Sequence, residues 1–146
     1  MINIKKYSSR GFTLIELMVT VAVLVILLTI GVPSMTNWID SNRATATANN
    51  IVGGLQYARS EAVRLNQDMT FTLTGNNWTV VNGGTVLREG QIRNGVTVSN
   101  AGARVFNSAG ALTASSSPIA VNSGSAARCV RIMRGGKASV ELGGCS

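Results

Sequence analysis

An α+β fold is predicted: a long N-terminal helix, apolar in its first half, packed on a C-terminal antiparallel β-sheet domain. Three observations predict it. Phe12–Val32 is a run of 21 residues with one charge, Glu16. Farther on, Ala48, Ile51, Leu55, Ala58, Ala62 and Leu65 recur at intervals of 3 and 4, which makes one apolar stripe on a helix. After Asn66 the texture changes to short alternating runs rich in Thr and Val, punctuated by Gly and Asn, the pattern of strands and tight turns.

The first element is long enough to cross a hydrocarbon core of about 30 Å. Glu16 is its difficulty. A carboxylate at bilayer depth costs roughly 2.5–3.5 kcal/mol on insertion scales, and such groups are usually paired and functional. Lys5, Lys6 and Arg10 precede the run. Basic residues stay cytoplasmic, so the rest of the chain is expected outside the cytoplasm. A secretory signal peptide or a plain anchor also has a basic lead. However, the apolar run exceeds a typical h-region of about 7–15 residues, and no A-x-A site follows Val32.

Gly31 and Pro33 come next. Proline lacks a backbone donor and clashes with the preceding turn, so a bend or local melting is expected there. The stripe beyond it carries the small residues Ala44, Ala48, Ala58 and Ala62, which let a sheet approach closely. A helix from Phe12 to Asn66 would be roughly 80 Å long. The alternative is two separate helices, because Thr36–Arg43 is weakly patterned.

Eight strands are expected in the remainder: Met69–Thr74, Trp78–Val81, Thr85–Arg93, Val96–Ser99, Arg104–Phe106, Ile119–Val121, Arg128–Met133 and Lys137–Leu142. Asn82-Gly83 and Asn94-Gly95 are the best hairpin signals, since both residue types tolerate positive φ. Ser115–Pro118 reads as a mobile loop. There is no internal repeat and no second domain.

The chain has 146 residues and a net charge of +7. From Pro33 onward, ten positive residues face five negative ones, so this part is basic at +5. It contains no histidine, so a general base near neutral pH would have to be a perturbed carboxylate or Lys137. Gly135–Ser139 only superficially matches a phosphate loop, and Asn77-Trp78-Thr79 is a bare sequon. No catalytic residue, metal site or cofactor is expected. Cys129 and Cys145 lack zinc-site spacing and read as a disulfide in an exported domain, worth roughly 3 kcal/mol in the chain-entropy model. Two buried free thiols are the alternative.

Arg128, Arg131, Arg134 and Lys137 crowd ten residues, opposed by Glu141. Strand alternation puts Val130 and Ile132 on one face, and Arg131 with Met133 on the other. On the return strand, Ala138, Val140 and Leu142 face inward. Arg131, Arg134 and Lys137 would then form an exposed patch suited to phosphates without reading sequence. Three or four contacts imply a roughly hundredfold loss of affinity between 50 and 200 mM salt.

Gly11-Phe12-Thr13-Leu14-Ile15-Glu16, with its basic lead, resembles the class III signal of type IV pilins and type II secretion pseudopilins. The resemblance implies cleavage by a prepilin peptidase between Gly11 and Phe12 and methylation of the Phe12 amine. It also implies that Glu16 meets the amine of a neighbouring subunit. A buried acid and a buried amine each cost less together than apart. Leu55–Ala62 resembles the L-x-x-A-R-S-E-A signature of the GspH/FimT branch, and Phe106–Gly110 its F-x-x-x-G element. The fold implied is pilin-like: leader 1–11, membrane and filament-core helix 12–33, amphipathic helix 34–66 and sheet domain 67–146. Pilins also often close their C-terminal region with a disulfide.

The resemblance implies a minor type IV pilin of the FimT/FimU kind, with a GspH-like pseudopilin of type II secretion as the alternative. Its partners would be other pilins in a filament, the inner membrane and the prepilin peptidase. FimT-like pilins bind DNA in natural transformation through a C-terminal G-R-x-R, so double-stranded DNA is a further implied partner. Here the matching stretch is Gly136-Lys137-Ala138-Ser139: Lys137 keeps the charge without the bidentate fork, and Ser139 has none.

Overall fold

The structure is a computed structural model that describes residues 11–145, so the basic lead Lys5, Lys6 and Arg10 lies outside the described residues. The chain divides into two units, Met1–Thr36 and Asn37–Ser146.

In the first unit, α1 (Leu14–Leu65) begins. Thr13 caps it: the Glu16 amide donates to Thr13 Oγ1 at 3.3 Å, which occupies one of the orphan donors of a helix start, and the Leu17 amide makes the first intrahelical bond to the Thr13 carbonyl at 3.2 Å. The apolar side chains from Phe12 to Val32 are exposed all round. The Thr20 and Thr29 hydroxyls donate back to the Leu17 and Ile26 carbonyls. These two hydroxyls are thus satisfied within the segment, as lipid requires, and its apolar window is long enough to cross a membrane. Helical backbone continues across Gly31 and Pro33 to Leu65. The local melting expected at Pro33 does not occur, and neither does the two-helix alternative, because one missing donor removes only one bond of the ladder.

In the second unit, the rest of α1 packs on eight strands: β1 (Met69–Thr74), β2 (Asn77–Asn82), β3 (Thr85–Gln91), β4 (Thr97–Ser99), β5 (Gly102–Phe106), β6 (Ile119–Ser123), β7 (Ala126–Ile132) and β8 (Ala138–Leu142). They form two four-stranded antiparallel sheets, β3-β2-β1-β5 and β4-β6-β7-β8, where the sequence suggested one. Asn82-Gly83 does close a hairpin, with Asn82 opposite Thr85. Gly83 and Gly84 have φ of 53° and 92°, the conformation a two-residue turn demands. Asn94-Gly95 makes a turn, closed by the Val96 amide on the Arg93 carbonyl. It is not a hairpin, because β3 and β4 lie in different sheets.

One core is shared by the helix stripe and both sheets: Ala48, Ile51, Leu55, Ala58 and Ala62 meet Phe71, Val80, Phe106, Ile119, Val121 and Val130. Each large apolar side chain buried this way contributes about 1.5–3 kcal/mol before entropy is counted. Trp78 shows how the aromatic part is fitted. Its ring stacks on Phe71 at 5.6 Å, and its indole N–H donates to Asn50 Oδ1 at 2.6 Å. Gly90, paired opposite Trp78 in β3, is a glycine because a side chain there would enter the indole. Leu65, the last residue of the predicted stripe, is exposed, because the helix ends there. Asn66 turns left-handed at φ 53°. The Asn66 amide then bonds the Val63 carbonyl and the Gln67 amide the Ala62 carbonyl, the two bonds of a Schellman close.

Candidate functional site

Two regions hold the site residues expected from sequence. At the N-terminal end, Gly11 and Phe12 precede the helix and Phe12 is 84% exposed. Glu16 lies in the first turn of α1, also exposed. Its backbone amide is used by Thr13. Among the described residues, no side chain pairs with its carboxylate. The acid therefore stands with a helix N-terminus at its back, which favours negative charge, and on a surface made mostly of Leu, Ile, Val and Met.

The second region is the β7–β8 hairpin. Met133 and Lys137 close its turn through the Met133 amide and the Lys137 carbonyl at 2.9 Å, with the Gly136 amide on the Met133 carbonyl at 2.8 Å. The four basic residues placed here by sequence separate into two groups. Arg128 is not free. It is half-buried and donates to Thr45 Oγ1 at 3.1 Å, Ser41 Oγ at 2.9 Å and the Ala127 carbonyl at 2.7 Å, so it ties β7 to the helix. Arg131 pairs with Glu141, Nε to Oε1 at 3.1 Å, an exposed pair worth about 0–1 kcal/mol. Arg134 and Lys137 are exposed at the turn. Leu142, expected to face inward, is 84% exposed, because β8 runs past the core there.

A third cation joins Arg134 and Lys137 from the helix. Gly110 and Gly136 come so close that a Cβ on Gly136 would collide with the Gly110 carbonyl, and the Arg59 side chain packs against both glycines. Both glycines have positive φ, 74° and 79°, so the contact needs glycine twice over, for room and for backbone. The Leu112 amide bonds the Arg134 carbonyl at 2.9 Å and fastens the same junction. The L-x-x-A-R-S-E-A stretch, the F-x-x-x-G element and the hairpin turn thus meet at one point. The exposed patch is Arg59, Arg134 and Lys137, and none of the three has an ion pair among the described residues. Arg64, one turn on, is occupied: it pairs with Glu61 at 2.6 Å. The hydrogen bond to Arg64 holds the Glu61 carboxyl below its ordinary range.

Cys129 and Cys145 are joined by a disulfide. It fastens the chain end to β7 beside this hairpin. At the other end of the unit, Asp40 accepts from Ser123 Oγ at 3.1 Å and Asn37 from Ser125 Oγ at 3.1 Å, so the helix is pinned to the β6–β7 turn. Ser115–Pro118, expected to be mobile, is held by two bonds. Arg104 Nη2 donates to the Ser117 carbonyl and Asn100 Nδ2 to the Pro118 carbonyl.

Sequence reasoning missed two residues. Arg59 entered the sequence reading only as the arginine of the Leu55–Ala62 stretch. Its signal was its place in the signature motif, next to the glycine-bearing loop that the F-x-x-x-G element implies. Arg104 read as an ordinary strand residue. It shares strand parity with Phe106, which is fully buried, and period-2 alternation would have turned it inward.

Comparison with known proteins agrees with this architecture. The family model of type II transport protein GspH matches residues 47–136, more than half the chain. The prokaryotic N-terminal methylation motif matches residues 6–32. No curated protein matches this chain. Among solved structures, the type IV minor pilin FimU of Pseudomonas aeruginosa is similar in fold. Its P21 crystal form gives a TM-score of 0.60 at 22% identity, covering 68% of this chain and 89% of that one. The P65 form gives 0.57 at 21% identity, covering 66% and 91%. With a methylation motif leading into a membrane-length helix and the GspH family model spanning helix and sheets, the chain belongs to the GspH family of pilin-like proteins.

Proposed function

We propose that this chain is a minor subunit of a type IV pilus, made as a membrane-anchored precursor and drawn into a filament. Cleavage after Gly11 would free the Phe12 amine, which is then methylated. The leader stays cytoplasmic and the β domain lies beyond the inner membrane. One observation carries the reading: Glu16 has no ion-pair partner among the described residues of its own chain, yet sits on a segment whose apolar side chains are uncovered. Lipid or other helices must cover that surface, and a cation from another molecule is what relieves the acid. The role is structural rather than enzymatic. A Glu16→Ala variant should reach the membrane in normal amount but fail to enter filaments sheared from cells. Normal incorporation would overturn the proposal. A GspH-like place in a type II pseudopilus rests on the same geometry, and the filament from which the subunit is recovered separates the two.

A second activity, capture of double-stranded DNA, is favoured by the three cations at the glycine junction. Arg59, Arg134 and Lys137 offer charge without base-reading groups, as phosphate binding requires. The test is a mobility shift with the full chain in detergent. Changing Arg59, Arg134 and Lys137 together to Gln should abolish the shift, and changing Arg128 and Arg131 should not. Equal shifts from wild type and the triple variant would end this reading.

A further inference from the structure

Arg104 is the most unusual charged residue in the second unit. Its residue exposure is 5%, yet no carboxylate reaches it among the described residues. Its partners are three neutral carbonyls: Gly102 at 3.0 Å from Nη1, and Asn100 at 2.7 Å and Ser117 at 3.3 Å from Nη2. Its Nε–H has no acceptor. A buried cation without a counter-charge is expensive, and so is a buried donor without an acceptor. Burial accordingly lowers the Arg104 pKa.

The surroundings repeat the theme. Arg104 lines a concavity of about 270 Å³ with Asn100, Ser115, Ser116 and Ser117. Ser116 Oγ is also buried and unpaired. Two unpaired donors at one cavity, beside an uncompensated positive charge, specify an acceptor that carries negative charge. Ser115 also lines a neighbouring hollow of about 300 Å³ whose wall includes Arg134. An anion approaching from the surface would therefore meet a cation first at Arg134.

We propose that this cavity binds one phosphate-type oxyanion, held by the Arg104 guanidinium and the Ser116 hydroxyl. Both donor atoms are closed to solvent, so entry requires a small shift of Ser115–Ser117. That stretch has no regular secondary structure; its Ser117 carbonyl is strapped to Arg104, and the next carbonyl, that of Pro118, to Asn100. An oxyanion would take the two unpaired donors while leaving those straps in place. The oxyanion has two sources, free phosphate or a backbone phosphate of bound DNA. The site does not depend on the DNA reading, because its donors are distinct from Arg59 and Lys137.

The experiment follows the arginine Nε–H signals of the full chain in detergent by NMR. Inorganic phosphate is titrated at constant ionic strength against chloride. The Arg104 signal should shift saturably with phosphate and stay fixed with chloride alone. Ser116→Ala, which removes one hydroxyl and leaves the fold intact, should weaken binding about tenfold, the equivalent of one charge-assisted hydrogen bond. A short DNA duplex forms the second arm. A shift of the same signal by duplex, competed by phosphate, identifies the polymer as the source. A shift by phosphate only identifies the free ion, and stands even where the duplex does not bind at all. No phosphate-specific shift in either arm, or equal affinity in Ser116→Ala, would overturn the proposal.

Discussion

Gly136 is where the three motifs of the second unit touch, so it is the sharpest place to test the packing. Alanine there has two penalties. Its backbone must stay left-handed at φ 79°, which costs an L-residue about 1–2 kcal/mol. Its Cβ must also displace the Gly110 carbonyl and crowd the Arg59 side chain, and overpacking of this kind costs about 1–3 kcal/mol. Together these come to about 3 kcal/mol, or ~12 °C in Tm at ~4 °C per kcal/mol for a unit of this size. The neighbour is the control. A Cβ on Gly135 would meet no atom within 4 Å, and its φ is not positive, so Gly135→Ala should change stability by no more than ~0.5 kcal/mol. Thermal unfolding of the full chain in detergent, followed by near-ultraviolet circular dichroism, reads both. A Gly136→Ala melt within about 2 °C of wild type, or an equal fall for Gly135→Ala, would refute the reasoning.

Two further outcomes are expected. Replacing Cys129 and Cys145 with Ser opens a loop with a sequence separation of 16 and should lower stability by about 3 kcal/mol in denaturant unfolding. If DNA binds through Arg59, Arg134 and Lys137, three phosphate contacts imply a slope of log affinity on log salt of about −2.7 and a ~40-fold loss between 50 and 200 mM.

Much of the fold was legible because it rests on local periodicity. The 3–4 spacing from Ala48 to Ala62 is what a helix needs to cover a core, and those residues are fully buried. All eight strands appear near their expected places, since alternation and glycine turns are local signals. The division into two sheets was not legible. It depends on β5 joining β1 and β4 joining β6, pairings between residues far apart in sequence. The surroundings of the basic residues were only partly legible, for the same reason. Sequence spacing placed Arg128, Arg131, Arg134 and Lys137 together, but the helix claims Arg128 and Glu141 claims Arg131. Arg59 arrives from another element altogether, through a contact that only two glycines permit. Charges cluster by tertiary approach, and a one-dimensional count sees only half of the approach.

The most direct test of the filament account is the mass of the N-terminal peptide of the protein extracted from membranes or filaments. The account predicts a chain beginning at Phe12, with residues 1–11 removed and one methyl group added to the new amine. A chain that still begins at Met1 would contradict it, because the Phe12 amine would remain in a peptide bond, and so would one trimmed beyond Val32, which would lack Glu16 itself.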